Sequence, residues 1–215
     1  MLKVHQPDLR PTFRGVSHAW AFFASIGVGA ALVISASGAR AVLAAAVFAG
    51  SVATMFGASA LYHRVSWRTA QRRRLFAKLD HAGIYLLIAG SYTPFGLLVL
   101  EGAWRWSVLL VVWTGAAAAI VLKILWGEAP KWVPATIGVG LGWIGVIAFP
   151  QMTEIGVGGM TLIVIGGLCY TLGAVVYARR RPDPFPRSFG YHEVFHLLVI
   201  AAAACQYVAI AFFVI

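Results

Sequence analysis

Residues 191–214 read YHEVFHLLVIAAAACQYVAIAFFV, an apolar run in which charged and histidine side chains occur only among the first six residues. An α-helix needs about 20 apolar residues to cross the roughly 30 Å hydrocarbon layer of a membrane, so this stretch is long enough to span it. Six further runs of similar character occupy residues 19–38, 41–62, 81–100, 104–125, 132–150 and 155–178. The sequence therefore predicts seven transmembrane helices.

The composition excludes an ordinary soluble domain, because 60% of the 215 residues are hydrophobic and only 11% are charged. The seven apolar runs use up nearly the whole chain and leave no stretch for a separate globular domain, a long linker or a repeat. We therefore expect one all-α domain over residues 1–215. It should be a seven-transmembrane helix bundle that is integral to the cell membrane.

Basic residues are distributed unevenly between the two sides of this predicted bundle. Of the 17 Lys and Arg residues, all but Arg40 and Arg105 lie before the first run or after the second, fourth and sixth runs. The positive-inside rule then places the N-terminus in the cytoplasm and the C-terminus outside. We expect these basic loops to contact anionic lipid headgroups and not nucleic acid, although the net charge is +10.

Several polar residues fall at the cytoplasmic ends of three predicted helices. Ser59 and His63 are four residues apart near the end of the second run, and His192 and His196 are four apart at the start of the seventh. Residues with this spacing share one face of a helix. Asp80 stands at the start of the third run, so all five side chains are expected at the same depth.

This set of residue types is typical of a metal site. Two imidazoles at i and i+4 can bind one ion, and His63 would add a third nitrogen to His192 and His196. A fourth tetrahedral position would stay open, as in catalytic zinc sites, although three imidazoles also suit copper, iron or nickel. Asp80 and Ser59 would be the catalytic residues, close enough to orient a ligand or to take a proton from water that zinc activates. The alternative is that the histidines are interfacial and bind lipid headgroups.

Other polar residues in these segments have less specific interpretations. His5 and His18 are interpreted as surface or headgroup residues, and His81 either as structural or as a hydrogen-bond partner of the site. Glu193 stands in an H-E-x-x-H pattern, in which the glutamate is the general base of zinc proteases. That pattern normally takes its third ligand from further along the chain, where Gln206 is the only strongly polar side chain.

Three residues predict features of helix packing. Pro94 removes a backbone hydrogen bond inside the third run and is expected to kink that helix. Gly138 and Gly142 form a G-x-x-x-G pair in the fifth run, which predicts a close contact with a neighbouring helix.

Five short motifs together resemble the haemolysin III group, the bacterial branch of the progestin and adipoQ receptor family. They are residues 14–18 (RGVSH), 59–63 (SALYH), 78–81 (KLDH), 90–95 (GSYTPF) and 192–196 (HEVFH). The resemblance covers essentially the whole chain. It implies a seven-helix bundle with a cytoplasmic N-terminus and a zinc ion held by His63, His192 and His196, with Asp80 and Ser59 beside the water on the zinc.

The resemblance also bears on function, because the family looks related to alkaline ceramidases. It implies zinc-dependent hydrolysis of an acyl-lipid amide or ester, with a membrane lipid or free fatty acid in the bundle cavity. The alternative is a non-enzymatic cytolysin that forms pores, or a lipid-sensing receptor with structural zinc. A pore predicts a continuous polar stripe, whereas one face of the seventh run has only His192, His196 and Gln206 as polar members.

The charge distribution gives a prediction of topology. In a variant without the native cysteines, Ala70→Cys should react with a membrane-impermeant thiol reagent only after the cells are opened. Glu154→Cys should react in intact cells, because residue 154 lies on the side with few basic residues. Labelling of residue 70 from outside intact cells would invert the assignment.

Overall fold

The computed structural model describes residues 11–126 and 129–215, and within them seven helical segments are long and apolar enough to cross a membrane. The helices are α1 (Val16–Ser35), α2 (Ala39–Arg64), α3 (Ala70–Pro94), α4 (Gly102–Leu125), α5 (Trp132–Trp143), α6 (Gly145–Ala148), α7 (Gly156–Arg179) and α8 (Tyr191–Phe213). The fifth span combines α5, α6 and a 3₁₀ turn at Phe149–Gln151. The predicted all-α seven-transmembrane fold is confirmed, while the orientation of its termini stays a prediction. His5 lies outside the described residues.

The third helix begins about three turns earlier than the sequence predicts. Its first turns carry the exposed Arg72, Arg73 and Arg74, which end the apolar pattern but not the helix. The side chain of Thr69 accepts a hydrogen bond of 3.3 Å from the amide of Arg72, and this cap fixes the start of α3. The helix thus extends beyond its apolar part as a basic, solvated segment.

The third helix changes to a π-helical turn directly after Pro94, and the expected kink at Pro94 stays a prediction. Pro94 lies inside α3, and the next residues, Phe95–Val99, form the π turn. The amide of Leu100 closes that turn on the carbonyl of Phe95 at 2.9 Å. The π turn follows the proline directly, and such turns are rare and mostly appear as single turns.

Helices that follow one another in the chain form the main packing contacts. The contacts of α7 with α8, of α2 with α3 and of α1 with α2 are the most extensive, and α1 also touches α8. A large apolar cluster that includes Phe48 and Ile210 fills most of the core. A smaller cluster joins Met55 of α2 to Val199 of α8. The fifth span is packed more thinly, and no residue of α5 is buried.

Small residues permit the close approach of α3 to α2. A Cβ atom on Gly90 would overlap the side chain of Ser51, whose hydroxyl donates to the carbonyl of Phe48 at 2.7 Å. A Cβ on Gly83 would lie 3.0 Å from the Cα of Met55. The α2–α3 interface therefore depends on glycine at both levels.

The predicted contact at Gly138 and Gly142 is wrong. An added Cβ on Gly142 would meet nothing within 4 Å in the described part of the chain, and one on Gly138 would meet only Ile88, at 3.8 Å. Both glycines line an internal cavity, and no neighbouring helix among the described residues packs tightly against the Cβ position of either one. The G-x-x-x-G pattern indicates only that these residues lack side chains, and here the missing side chains leave room for the cavity.

The α2–α3 contact predicts that Gly90→Ala is destabilising. The new methyl group would overlap Ser51, so the helices must separate, and overpacking of this kind costs about 1–3 kcal/mol. We expect a lower melting temperature of the detergent-solubilised protein than for the parent. Gly140→Ala is the matched control, because its Cβ meets nothing within 4 Å. Equal melting temperatures for the two variants would contradict the close contact.

Candidate metal centre

Three histidines from two helix ends meet inside the bundle. His63 lies in the last turn of α2, and His192 and His196 lie in the first two turns of α8. One ligand nitrogen of each falls within 4.8 Å of the other two. The gathering of these three side chains, expected from their spacing and depth, is therefore present in the fold.

The spacing of the nitrogens fits a tetrahedral metal. The Nε2 atoms of His63 and His192 are 3.2 Å apart. Two ligands that each lie 2.0–2.1 Å from zinc at a tetrahedral angle are about 3.3 Å apart. The ring of His196 lies 4.6 Å from that of His192 and 5.2 Å from that of His63, measured between centroids. The pair is already at ligand spacing, and the third ring is adjacent to both.

Asp80 lies beside this cluster. Its Oδ2 is 3.5 Å from Nε2 of His63, and its side chain is 15% exposed. Ser59, one turn before His63 on α2, is buried. Asp80, Ser59, His192 and His196 line the same internal cavity. The structure thus places both predicted catalytic residues next to the histidines.

His18 is a member of the site that the sequence analysis missed. It is 2% exposed, its ring stacks on that of His196 with centroids 3.7 Å apart and planes at 9°, and its Nδ1 is 2.8 Å from Oγ of Ser59. The interpretation of His18 as a surface residue is wrong, because α1 begins at Val16 and carries His18 into the bundle in its first turn. Its place in the RGVSH motif, beside the other family motifs, was the signal that could have identified it.

Glu193 has a structural role at the start of α8. Its carboxylate accepts a hydrogen bond from the side chain of Arg14 and another, of 2.7 Å, from the amide of Gly190. Asp183 accepts from the amide of Tyr191 at 2.9 Å. These contacts satisfy the free amides of the first turn and hold α8 in place. Within the described residues, the H-E-x-x-H glutamate points to the helix end and not into the histidine cluster.

His81 is anchored by its own helix. Its Nδ1 donates to the carbonyl of Ala77 at 2.7 Å, which leaves Nε2 to accept from the hydroxyl of Tyr177 at 3.3 Å. Its ring lines the cavity next to Asp80. Of the two interpretations left open, the structural one describes these contacts, which tie α3 to α7.

The cavity beside the histidines has a volume of about 170 Å³. It extends from the histidine cluster to Leu100, Phe149 and Met152. Leu100 directly follows the third span, Phe149 lies near the end of the fifth span, and Met152 directly follows that span. Its wall is mainly apolar, and most of its ionisable residues are at the histidine end. A site for polar chemistry thus opens into a chamber suited to an apolar chain.

Comparison with known proteins agrees with this architecture. The model of the family described as Haemolysin-III related matches residues 8–207. "Hemolysin-3" from Bacillus cereus is 31% identical over 204 residues, which cover 93% of this chain and 90% of that protein. "Adiponectin receptor protein" from Drosophila melanogaster is 36% identical over 183 residues, which cover 75% of this chain but 40% of that protein. "Monocyte to macrophage differentiation factor" from Homo sapiens is 28% identical over 167 residues, 76% of this chain and 67% of that protein.

The family match includes His63, His192 and His196 and covers the first six apolar spans fully and the seventh as far as residue 207. The chain is a multi-pass membrane protein, and it belongs to the Haemolysin-III related family.

Proposed function

We propose that the chain is a zinc-dependent hydrolase that cleaves an acyl-lipid amide or ester inside the membrane. One observation carries the proposal: three imidazole nitrogens lie within 4.8 Å of one another beside a carboxylate, and two of these histidines, His192 and His196, line an apolar cavity. Ionisable groups at membrane depth are costly and are retained mainly where they coordinate, pair or react. A structural zinc site would normally use all four positions for protein ligands, whereas this cluster offers three.

His63, His192 and His196 would hold the zinc ion. When bound, zinc supplies a Lewis acid that activates water and polarises a carbonyl oxygen. The stack of His18 on His196 and the Glu193 contacts at the start of α8 keep two of these rings in position. Such supporting contacts normally determine how well the ligands of a metal are oriented.

Asp80 would act as the proton carrier. As water attacks the acyl carbon, the carboxylate takes a proton from that water. When the carbon–nitrogen bond breaks, Asp80 passes the proton to the leaving amine, so the products are a fatty acid and an amine. Ser59, held at 2.8 Å from His18, presents its hydroxyl to the same end of the cavity and would orient the substrate carbonyl.

The cavity would hold the acyl chain, and the histidine end would hold the scissile bond. Membrane lipid or free fatty acid is the expected occupant, because an apolar chamber of this size offers few hydrogen bonds to a polar molecule. The exposed arginines at the start of α3 would contact anionic headgroups at the membrane surface.

A lipid-sensing receptor is the second candidate, and the similarity to the Drosophila adiponectin receptor favours it. It would use the same cavity but release no product. A cytolysin that forms pores is less well supported, although the Bacillus cereus relative carries the name Hemolysin-3, because the chamber is mainly apolar. Turnover of a lipid therefore separates the proposal from both alternatives.

Metal content tests the ligand set. We expect about one zinc ion per purified chain, and a loss of at least about tenfold in His192→Ala and in His196→Ala, because two imidazoles cannot complete the site. Elemental analysis of purified protein measures this, and the melting temperature should fall with the zinc, since binding favours the folded state. His81→Gln is the control and should keep its zinc. Full zinc in both alanine variants would refute the site.

Turnover tests the role of Asp80. Asp80→Asn should keep its zinc and lose hydrolysis of an acyl-lipid amide by about 10²–10⁴-fold, the usual contribution of a general acid–base group. Released fatty acid is measured by mass spectrometry, with Glu154→Gln as a control carboxylate that lies outside the cavity. If the zinc-loaded parent releases no fatty acid from a broad panel of acyl lipids, the hydrolase proposal fails.

A further inference from the structure

The middle of the cavity contains two hydrogen-bonding side chains that the proposed chemistry does not use. They are Tyr170 on α7 and Gln206 on α8, and both line the cavity. Gln206 is only 9% exposed. The hydroxyl of Tyr170 is buried and has no hydrogen-bond partner among the described residues.

Tyr170 differs in this respect from the other hydroxyl groups of the cavity wall. Each of those groups makes a hydrogen bond within the described part of the chain. They belong to Ser59, Tyr85, Ser91, Tyr92, Thr171 and Tyr177. A buried hydroxyl without a partner is costly, and phenylalanine would fill the same space without that cost. The hydroxyl of Tyr170 is therefore expected to form a hydrogen bond with a ligand that enters the cavity.

Helix geometry indicates that the hydroxyl of Tyr170 lies near the depth of Gln206. Gly166 precedes Tyr170 by one helical turn, and a Cβ on Gly166 would lie 3.2 Å from Nε2 of Gln206. Long side chains in a helix lean towards its N-terminus, so the ring of Tyr170 leans towards the level of Gly166. Gln206 follows His196 by ten residues, which is about 15 Å along α8. Tyr170 also packs against the apolar cluster that includes Met55 and Val199. Its hydroxyl and the amide of Gln206 would thus form a polar level beyond that cluster, separate from the metal cluster.

We propose that Tyr170 and Gln206 form a subsite for a hydroxyl group in the middle of an acyl chain. A phenol and a primary amide can each donate and accept, so one chain hydroxyl can donate to one of them and accept from the other. An extended chain advances about 1.25 Å per carbon, because carbon–carbon bonds of about 1.5 Å meet at about 111°. The distance of about 15 Å then corresponds to roughly twelve carbons from the carboxyl end.

The inference rests on the proposed function for the class of ligand, an acyl chain with its carboxyl end at the histidines. It adds that the preferred chain is oxygenated near its middle. A plain chain would still fit the apolar wall but would leave the hydroxyl of Tyr170 without a partner. Both kinds of acyl chain can therefore enter the cavity, and the hydroxylated chain is expected to bind more tightly.

The test is equilibrium binding of two probes, octadecanoic acid and the same acid with a hydroxyl on about the twelfth carbon. We expect the parent protein to bind the hydroxylated acid about tenfold more tightly, the usual effect of pairing a buried polar group. Tyr170→Phe and Gln206→Leu should each reduce that ratio to about one or two. Ser91→Ala is the matched control and should keep the ratio, because the hydroxyl of Ser91 already donates to Ile88 at 2.8 Å.

Three results would overturn the subsite, and two of them come from the parent and the variants with the two acids already named. One is equal binding of both acids by the parent, and the other is a preference that survives in both variants. A hydroxyl moved next to the carboxyl group should gain nothing, and an equal gain there would also refute the assignment to this depth. Tyr170→Phe removes a single oxygen that has no partner in the described residues, so its melting temperature should be no lower than that of the parent, which confirms that the variant stays folded.

The assay measures binding, so it separates this inference from the proposed hydrolysis. If the protein prefers the hydroxylated acid but cleaves no lipid, the hydrolase proposal fails and the subsite proposal stands. If the protein cleaves lipids but binds both acids equally, the subsite proposal fails and the hydrolase proposal stands.

Discussion

The contact between the first and last helices holds the histidine end of the bundle together. The ring of His18 stacks on that of His196, and the side chain of Arg14 donates to Glu193 one turn earlier on α8. The backbone adds to this contact, because the amide of Thr12 donates to the carbonyl of Arg187 at 3.2 Å. The side chains of Arg14 and Glu193 are largely shielded from water, with 19% and 2% of their area exposed, so each charge needs the other as its partner. This contact fixes the start of α8, which carries two of the three proposed ligands, while the rest of α8 packs mainly against α7.

The third proposed ligand depends on a different kind of interface. His63 comes from α2, and Asp80 comes to within 3.5 Å of it from α3. That distance requires α2 and α3 to lie close together, which the glycines at positions 83 and 90 permit. The site therefore combines a polar contact between distant parts of the chain with an apolar contact between neighbouring helices. A change at either interface would alter the geometry of the cluster without touching a ligand.

Hydropathy and the i,i+4 spacing were sufficient to predict the seven helices and the meeting of His63, His192 and His196, because apolar length sets depth and helical repeat sets the face. The same signals could not identify His18. Hydropathy placed the first helix too late, whereas it begins at Val16. They also missed the basic start of α3, since a solvated helix lacks the apolar pattern that marks a span. Side-chain contacts such as the stack of His18 on His196 depend on how each helix is rotated about its axis. Hydropathy and residue spacing do not predict that rotation.

The glycines of α5 show why a packing motif can have the opposite effect to the usual one. Gly138 and Gly142 face the cavity, and no residue of α5 is buried. Large side chains at these positions would fill part of the 170 Å³ chamber and add packing contacts to the bundle. An unfilled internal space costs stability, since its lining atoms lose contacts. The glycines that bring α2 and α3 together serve packing, whereas the glycines of α5 keep a chamber open at the expense of packing. Glycines that keep a cavity open at the expense of packing are expected in a protein that binds a ligand inside that cavity.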